Sequence, residues 1–336
     1  MLSFLRLRLM DFRGSRFVIY PLSLFIILPL MWKAYERFDP LNGFDVSQGS
    51  IVAEAITGGG PGRDDIPALT DPEMLAADES NLAPDARVLG LVVGGEARAF
   101  PLNIMNWHEI VNIRVADRDL VVSWCPLCST GLAFYADRRG ERLLFGVSGL
   151  LYQDNLLMYD RQTRSLWAQL QGEAVSGSLT GETLVAVPLA HTRFGPWLDK
   201  HPNTLVLSPD TGHSRSYDLD PYADYHQQAR NMPRFPGLNP YERVIGVRVG
   251  ADARAYPFAE LAQAGNSGTL DSQLGGRDFS IRWDAVDMTY DVTSASGNEG
   301  ISSTISYWFA WQNFYPETQV YTDEETGQPN QKPGGT

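Results

Sequence analysis

The feature that most constrains this chain is a repeat of its own sequence. Arg87-Val-Leu-Gly-Leu-Val-Val-Gly-Gly-Glu-Ala-Arg-Ala-Phe-Pro101 returns as Arg243-Val-Ile-Gly-Val-Arg-Val-Gly-Ala-Asp-Ala-Arg-Ala-Tyr-Pro257. Self-similarity of this length means two copies of one supersecondary unit. Each copy continues through a short helix-like stretch to an Arg-Asp turn and a strand ending in tryptophan, Arg118–Trp124 and Arg277–Trp283. A second echo sets Trp197-Leu-Asp-Lys-His-Pro-Asn-Thr204 against Trp311-Gln-Asn-Phe-Tyr-Pro-Glu-Thr318. Apolar residues alternate with period two through Val88–Val93, Leu120–Trp124, Leu132–Tyr135, Leu143–Val147, Leu156–Tyr159, Leu184–Leu189 and Leu205–Leu207, which predicts many short strands. A hairpin turn is predicted at Asp137–Glu141, and helical spacing is confined to Asn103–Asn112 and Phe194–His201. The expected fold is mainly β with a few short helices, a β-rich α+β class. It is an internally duplicated β scaffold behind an N-terminal membrane anchor.

The anchor is read from charge and hydropathy. Six basic residues (Arg6, Arg8, Arg13, Arg16, Lys33 and Arg37) stand against Asp11 and Glu36 at the N-terminus of a chain whose net charge is −13. Between them Phe17–Trp32 is uncharged and almost wholly apolar. As a helix it would span about 24 Å, slightly short of a bilayer core but able to cross with thinning or snorkelling. The arginines before it orient the N-terminus to the cytoplasm. No small-x-small site follows Trp32, so an uncleaved signal anchor is favoured over a cleaved signal peptide or a buried helix.

The organisation expected is a cytoplasmic stub and anchor over 1–38, an extended Gly/Pro-rich arm over 39–84, a first repeat over 85–230, a plainer second repeat over 231–322 and a disordered tail over 323–336. The expected location is the inner membrane, with the globular part periplasmic or extracellular, where a cysteine pair can persist as a disulfide. The acidic remainder excludes nucleic acid as a partner and leaves the membrane, a small molecule or an envelope protein. Gly58-Gly-Gly-Pro-Gly62 lacks both the dinucleotide and the P-loop spacing and reads as a turn.

The repeat also serves as an internal control, because residues confined to one copy are freer to serve function. The first copy has Trp124-Cys-Pro-Leu-Cys128 where the second has Trp283-Asp-Ala-Val-Asp287, and nothing in the second matches Asn106-Trp-His-Glu109. Cys125 and Cys128 are the only cysteines in the chain. Such a pair can close a disulfide, attack another disulfide, or give two thiolates to a soft metal. No helix begins at Cys125, which weakens a thioredoxin-like reading.

His108 is the nearest third donor, so His108, Cys125 and Cys128 form a candidate metal set for copper or zinc. Glu109, His201 or Tyr152 would complete the shell, and Glu109 joins these three as a candidate catalytic residue. His108-Glu-Ile-Val-Asn112 departs from the zinc-protease helix, since Asn112 replaces its second histidine. Gly146-Val-Ser-Gly-Leu150 misses the nucleophile-elbow spacing. Trp107, Tyr152, Asp160, Arg161, Trp167 and Gln169 mix aromatic, charged and amide groups and are candidates for binding a small molecule. The same composition also fits a turn between strands, held by an Asp–Arg contact over a core tryptophan. His191, His213 and His226 read as surface or satisfied core residues.

Asn106-Trp-His-Glu-Ile-Val-Asn112, Trp124-Cys-Pro-Leu-Cys-Ser-Thr-Gly131, Phe145-Gly-Val-Ser-Gly-Leu-Leu151, Tyr159-Asp-Arg-Gln-Thr-Arg-Ser-Leu-Trp167 and Asp220-Pro-Tyr222 together resemble an uncharacterised prokaryotic family, domain of unknown function three-one-seven-nine. The resemblance is strong over Leu41 to Tyr225 and looser to about Tyr321. The chain departs from the pattern at Asn112-Ile113 and Cys128-Ser129, where the family pattern has Asn-Asp and Cys-Gly. The resemblance implies no activity. Two expectations follow from the residues: a metal-binding or thiol-redox protein using a His plus Cys-x-x-Cys site, or a non-catalytic binding module with a structural disulfide.

Overall fold

A computed structural model of the chain describes residues 39–322 apart from 48, 139, 231–237 and 298–300. The expected anchor at Phe17–Trp32 and the tail over 323–336 lie outside the described residues. Among the described residues no helix is long and apolar enough to cross a membrane.

The arm over 39–84 carries three short strands, β1 (Ile56–Gly58), β2 (Leu69–Thr70) and β3 (Met74–Ala76). The first repeat opens with the hairpin β4 (Arg87–Val93) and β5 (Glu96–Pro101), followed by helix α1 (Leu102–His108) and a meander β6 (Ile110–Val115), β7 (Arg118–Cys125) and β8 (Thr130–Tyr135). The small hairpin β9 (Asp137–Arg138) and β10 (Glu141–Arg142) stands where the turn was predicted. Next come β11 (Phe145–Tyr152), β12 (Asn155–Asp160), β13 (Leu166–Ala168) and β14 (Glu173–Ser176). The repeat closes with β15 (Ala186–Val187), β16 (Leu189–Arg193), α2 (Phe194–Lys200) and β17 (Leu205–Leu207), and α3 (Ala223–Arg230) leads out of it. The second repeat runs β18 (Arg243–Val249), β19 (Asp252–Pro257), α4 (Phe258–Ala264), β20 (Ser267–Leu274), β21 (Arg277–Asp284), β22 (Thr289–Thr293), β23 (Ile301–Tyr307), α5 (Trp308–Phe314) and β24 (Gln319–Val320). The protein is mainly β.

The two copies are built alike. In the first, β4 lies between β16 and β5, and β17 adds in parallel to β5; in the second, β18 lies between β23 and β19, and β24 adds in parallel to β19. The shared residues explain why. The ring of Trp197 lies on Gly90 and that of Trp311 on Gly246, so closely that a Cβ at either glycine would fall 2.4 Å and 2.3 Å from ring carbons. The two indole N–H groups donate to Thr204 and Thr318 at 2.9 and 3.0 Å, fixing each helix to the strand that follows.

The copies also engage each other reciprocally. The β20–β22 meander of the second meets β16 of the first through His191↔Tyr290, and β8 of the first lies against β23 of the second, where the Gly131 N–H donates to Thr304. Among the described residues the sheet containing β11–β14 has no counterpart in the second copy.

Two local expectations are corrected. The helix stops at His108, not at Asn112, because Glu109 turns into the left-handed region (φ 57°) and the β-branched Ile110 and Val111 enter β6. The turn before β7 is Ala116-Asp117, both at positive φ as a two-residue hairpin requires, and Arg118 already belongs to the strand. The arm wraps the first repeat: β1 pairs with β11, β2 with β6 and β3 with β17.

Candidate functional site

Register places the chemistry. Strands β6 and β7 pair antiparallel with Ile110 opposite Ser123, so Glu109 comes opposite Trp124 and next to Cys125. The Trp124 N–H donates to the Glu109 carbonyl at 2.7 Å, and the Trp124 indole donates to Asn106 at 2.8 Å. Cys125 ends β7 and faces Thr130 at the start of β8, so the Cys-x-x-Cys segment is the turn of a β-hairpin. That turn is closed by Cys128 N–H to the Cys125 carbonyl at 3.3 Å, and the Tyr307 N–H of the second repeat caps the Cys128 carbonyl at 2.9 Å. Both cysteines are buried free thiols.

Cys125, Glu109 and Tyr222 line one small cavity with Leu127, Ile66 and Pro61. Its volume is about 30 Å³, room for about one water molecule. The arm supplies its roof. Gly149, at φ 73°, sits under the Pro61 carbonyl so closely that a Cβ would lie 2.2 Å from that oxygen. The Tyr222 hydroxyl donates to Glu109 Oε1 at 2.8 Å. Burial raises the Glu109 carboxyl to about 7, against the pull of that hydrogen bond. Burial also raises the Tyr222 hydroxyl, reinforced by the Glu109 charge and contact.

Burial is likewise the main cause that pushes the Cys128 thiol well above its usual range, with the neighbouring Cys125 adding to it. The Cys128 thiol donates to the Asp154 carbonyl. The Cys-x-x-Cys turn is held from outside by Tyr225, whose hydroxyl donates to the Leu127 carbonyl at 3.0 Å, and by His226, which bonds the Pro126 carbonyl and Asp220, each at 3.0 Å.

His108 lies one residue from Glu109 and faces elsewhere. Its Nδ1 lies 2.7 Å from the Pro67 carbonyl, which can only accept, so Nδ1 carries the proton and Nε2 accepts from the Tyr217 hydroxyl at 2.7 Å. Burial lowers its pKa to about 4, so the ring is neutral. It pins the Ile66-Pro67 stretch that roofs the cavity. The structure brings Glu109 to Cys125 in one cavity, sets Cys128 beside Cys125 behind it, and does not bring His108 to them. Among the described residues no three His, Cys, Asp or Glu side chains form a group able to hold a metal ion.

The six binding candidates do not converge on one pocket. Asp160 is fully buried and accepts from the Thr163 N–H and hydroxyl and the Trp167 indole at 2.6, 2.8 and 2.9 Å, while Arg161 pairs with Asp64 at 2.9 Å. Gln169 is also fully buried, in a network with Thr130, Asn155 and Ser123 behind the Cys-x-x-Cys turn. Trp107 donates to the Leu219 carbonyl at 3.1 Å, and Tyr152 packs edge-on against Phe314. Asn112 holds the Leu69 and Phe145 carbonyls and receives the Phe145 N–H, joining β2 and β11 to β6.

Sequence reasoning read Tyr222 and Tyr225 only as pocket or turn residues and His226 as a surface or satisfied core residue, and placed none of them at the cysteines. Asp220-Pro-Tyr222 stands out in the sequence as a motif, but nothing local says that it folds back over residues about a hundred positions earlier.

A family model described as "Protein of unknown function (DUF3179)" matches residues 63–300. The chain belongs to this family. No curated protein and no solved structure matches it.

Proposed function

For a member of that family, we propose thiol–disulfide exchange at Cys125 and Cys128, with Glu109 carrying the proton. The observation that carries the reading is the shared cavity, in which a cysteine, a carboxyl poised near neutrality and a tyrosine that grips that carboxyl meet out of bulk water. Carboxyls with such pKa values suit proton transfer at physiological pH. Cys125 lines the cavity and is the attacking sulfur; Cys128 lies deeper and resolves.

In the reducing direction the Cys125 proton passes to Glu109 and the thiolate attacks a substrate disulfide. The substrate S–S bond breaks, and the departing sulfur takes the proton back from Glu109. The Cys128 sulfur then attacks Cys125 in the mixed disulfide and releases the second substrate thiol, which takes the Cys128 proton. Two electrons pass to the substrate, and the chain is left with a Cys125–Cys128 disulfide. A dithiol partner reverses the sequence. A cavity with room for one water admits no disulfide, so the Tyr222 segment must swing away for the substrate to reach Cys125.

A metal reading has less support, since His108 spends both ring nitrogens on Pro67 and Tyr217 and two thiols alone make a sparse set. In the exchange reading the Phe17–Trp32 segment anchors the protein to a membrane, and the globular part faces an oxidising compartment. The test is a free-thiol count on the full-length protein equilibrated across defined dithiol/disulfide buffers. Reversible loss of two thiols together, abolished in Cys125→Ser and in Cys128→Ser, supports exchange. Thiols that never oxidise, or stoichiometric copper or zinc retained without chelators and lost in Cys125→Ser, would overturn it.

A further inference from the structure

The reciprocal packing of the repeats gives the Cys-x-x-Cys turn a counterpart. At the equivalent place in the second copy the turn is Asp284-Ala-Val-Asp287, closed by Asp284 accepting the Val286 and Asp287 N–H groups at 2.9 and 2.8 Å. Tyr307 of β23 caps the cysteine turn, and Arg193, at the matching end of β16, pairs with Asp287 at 2.7 Å. The surroundings differ. Around the first turn the space beside Trp311 is filled by core packed with the β11–β14 sheet, which has no equivalent among the described residues of the second copy. Beside Trp197 there is instead an open cleft of about 740 Å³. That volume is typical of small-molecule sites, which favour seams between structural units.

We propose that this cleft, walled by Trp197, Trp283, Arg282, Asp284 and Asp291, is a second ligand site, for a neutral hydroxyl-rich molecule such as a short saccharide. Three observations select that chemistry. Arg193, Lys200 and Arg282 are each bonded to a carboxylate, Asp287 or Asp291, so three cations face Asp284, Asp287 and Asp291 with no net charge to attract an ion. Such paired groups offer donors and acceptors side by side, as a sugar hydroxyl needs, and Thr192, Thr269, Thr289 and Ser303 add more. Finally, Trp283 is 6% exposed and its ring stands on the cleft wall, yet among the described residues its buried indole N–H has no hydrogen-bond partner. A buried donor left unpaired is costly, and a small turn of the ring toward the cleft would let a ligand oxygen satisfy it.

The site does not depend on the thiol chemistry. Tryptophan fluorescence of the full-length protein, titrated with maltotriose, cellotriose and N-acetylchitotriose, tests it. At least one trisaccharide gives a saturable change, and its Kd rises about tenfold in Asp291→Asn and in Trp283→Phe, each of which removes about one hydrogen bond. Cys125→Ser binds as the parent does. No saturable change with any of the three, equal binding by both cleft variants, or tighter binding of the cationic probe spermine or of trigalacturonate overturns the proposal. Asp291→Asn keeps its shape at a partly exposed position, so it remains decisive if Trp283→Phe misfolds.

Discussion

Glu109 combines three properties rarely found together in a carboxyl: burial, a left-handed backbone and a pKa near neutrality. Removing its ionisable group while keeping its shape isolates the proton role. In Glu109→Gln we expect the alkylation rate of Cys125 at pH 7 to fall by about tenfold or more, within the range of general base catalysis. Its rise with pH, half complete near 7 in the parent, should move to higher pH. An unchanged profile would remove Glu109 from the mechanism. Tyr222→Phe keeps the carboxyl but retunes it, because the lost hydroxyl bond was holding the carboxyl down. The midpoint of that profile should therefore shift above 7, and freer access to Cys125 should accelerate alkylation at pH values where Glu109 is ionised.

The strands and their joints show what a sequence can carry. Gly90 and Gly246 occur at the same position of the two copies, and both admit a tryptophan ring. In Gly90→Ala the new methyl group meets Trp197 head-on, so we expect a loss on the order of 2 kcal/mol in urea unfolding. Asn112→Ala should cost about 3 kcal/mol, since three buried backbone groups lose their partner at once. Either variant unfolding like the parent would deny these joints their role.

The repeat and the period-two pattern made the strands, the duplication and the pairing of Trp197 with Trp311 legible, because all of these are written in local spacing. The site was half legible. Adjacent residues share a sequence neighbourhood but not a direction: at the end of α1 one left-handed residue sends Glu109 to the cysteines and leaves His108 with Pro67 and Tyr217. No periodicity reports that switch. Tyr222 was out of reach because its partner is 113 residues away in the chain.

At the scale of the whole molecule, burial of ionisable side chains at the seams sets the acid response. His191 sits where the repeats meet, bonded to the Gly131 carbonyl of β8 and opposite Tyr290 of β22, and burial lowers its pKa to about 3. His108 joins the arm to the first repeat at a pKa of about 4. Both are neutral when folded and take up a proton on unfolding, so their contribution is complete above about 6.5 and is lost as pH falls toward 3. Glu109 has the opposite sign. Its folded pKa of about 7 lies above the usual 4.5, so unfolding releases its proton between those values and its contribution is lost as pH rises through that window.

Between about pH 5 and 6 two protons are taken up and one is released, a net uptake of about one, and stability should rise with pH there and level off above 7. Glu109→Gln removes the opposing group, so the slope should approach two protons; His191→Gln should reduce it to about zero. Urea midpoints measured from pH 5 to 8 read these slopes directly. A Glu109→Gln protein with a shallower slope than the parent would mean that the carboxyl is ionised in the folded state, and the proton-carrying role proposed for it would fall with that result.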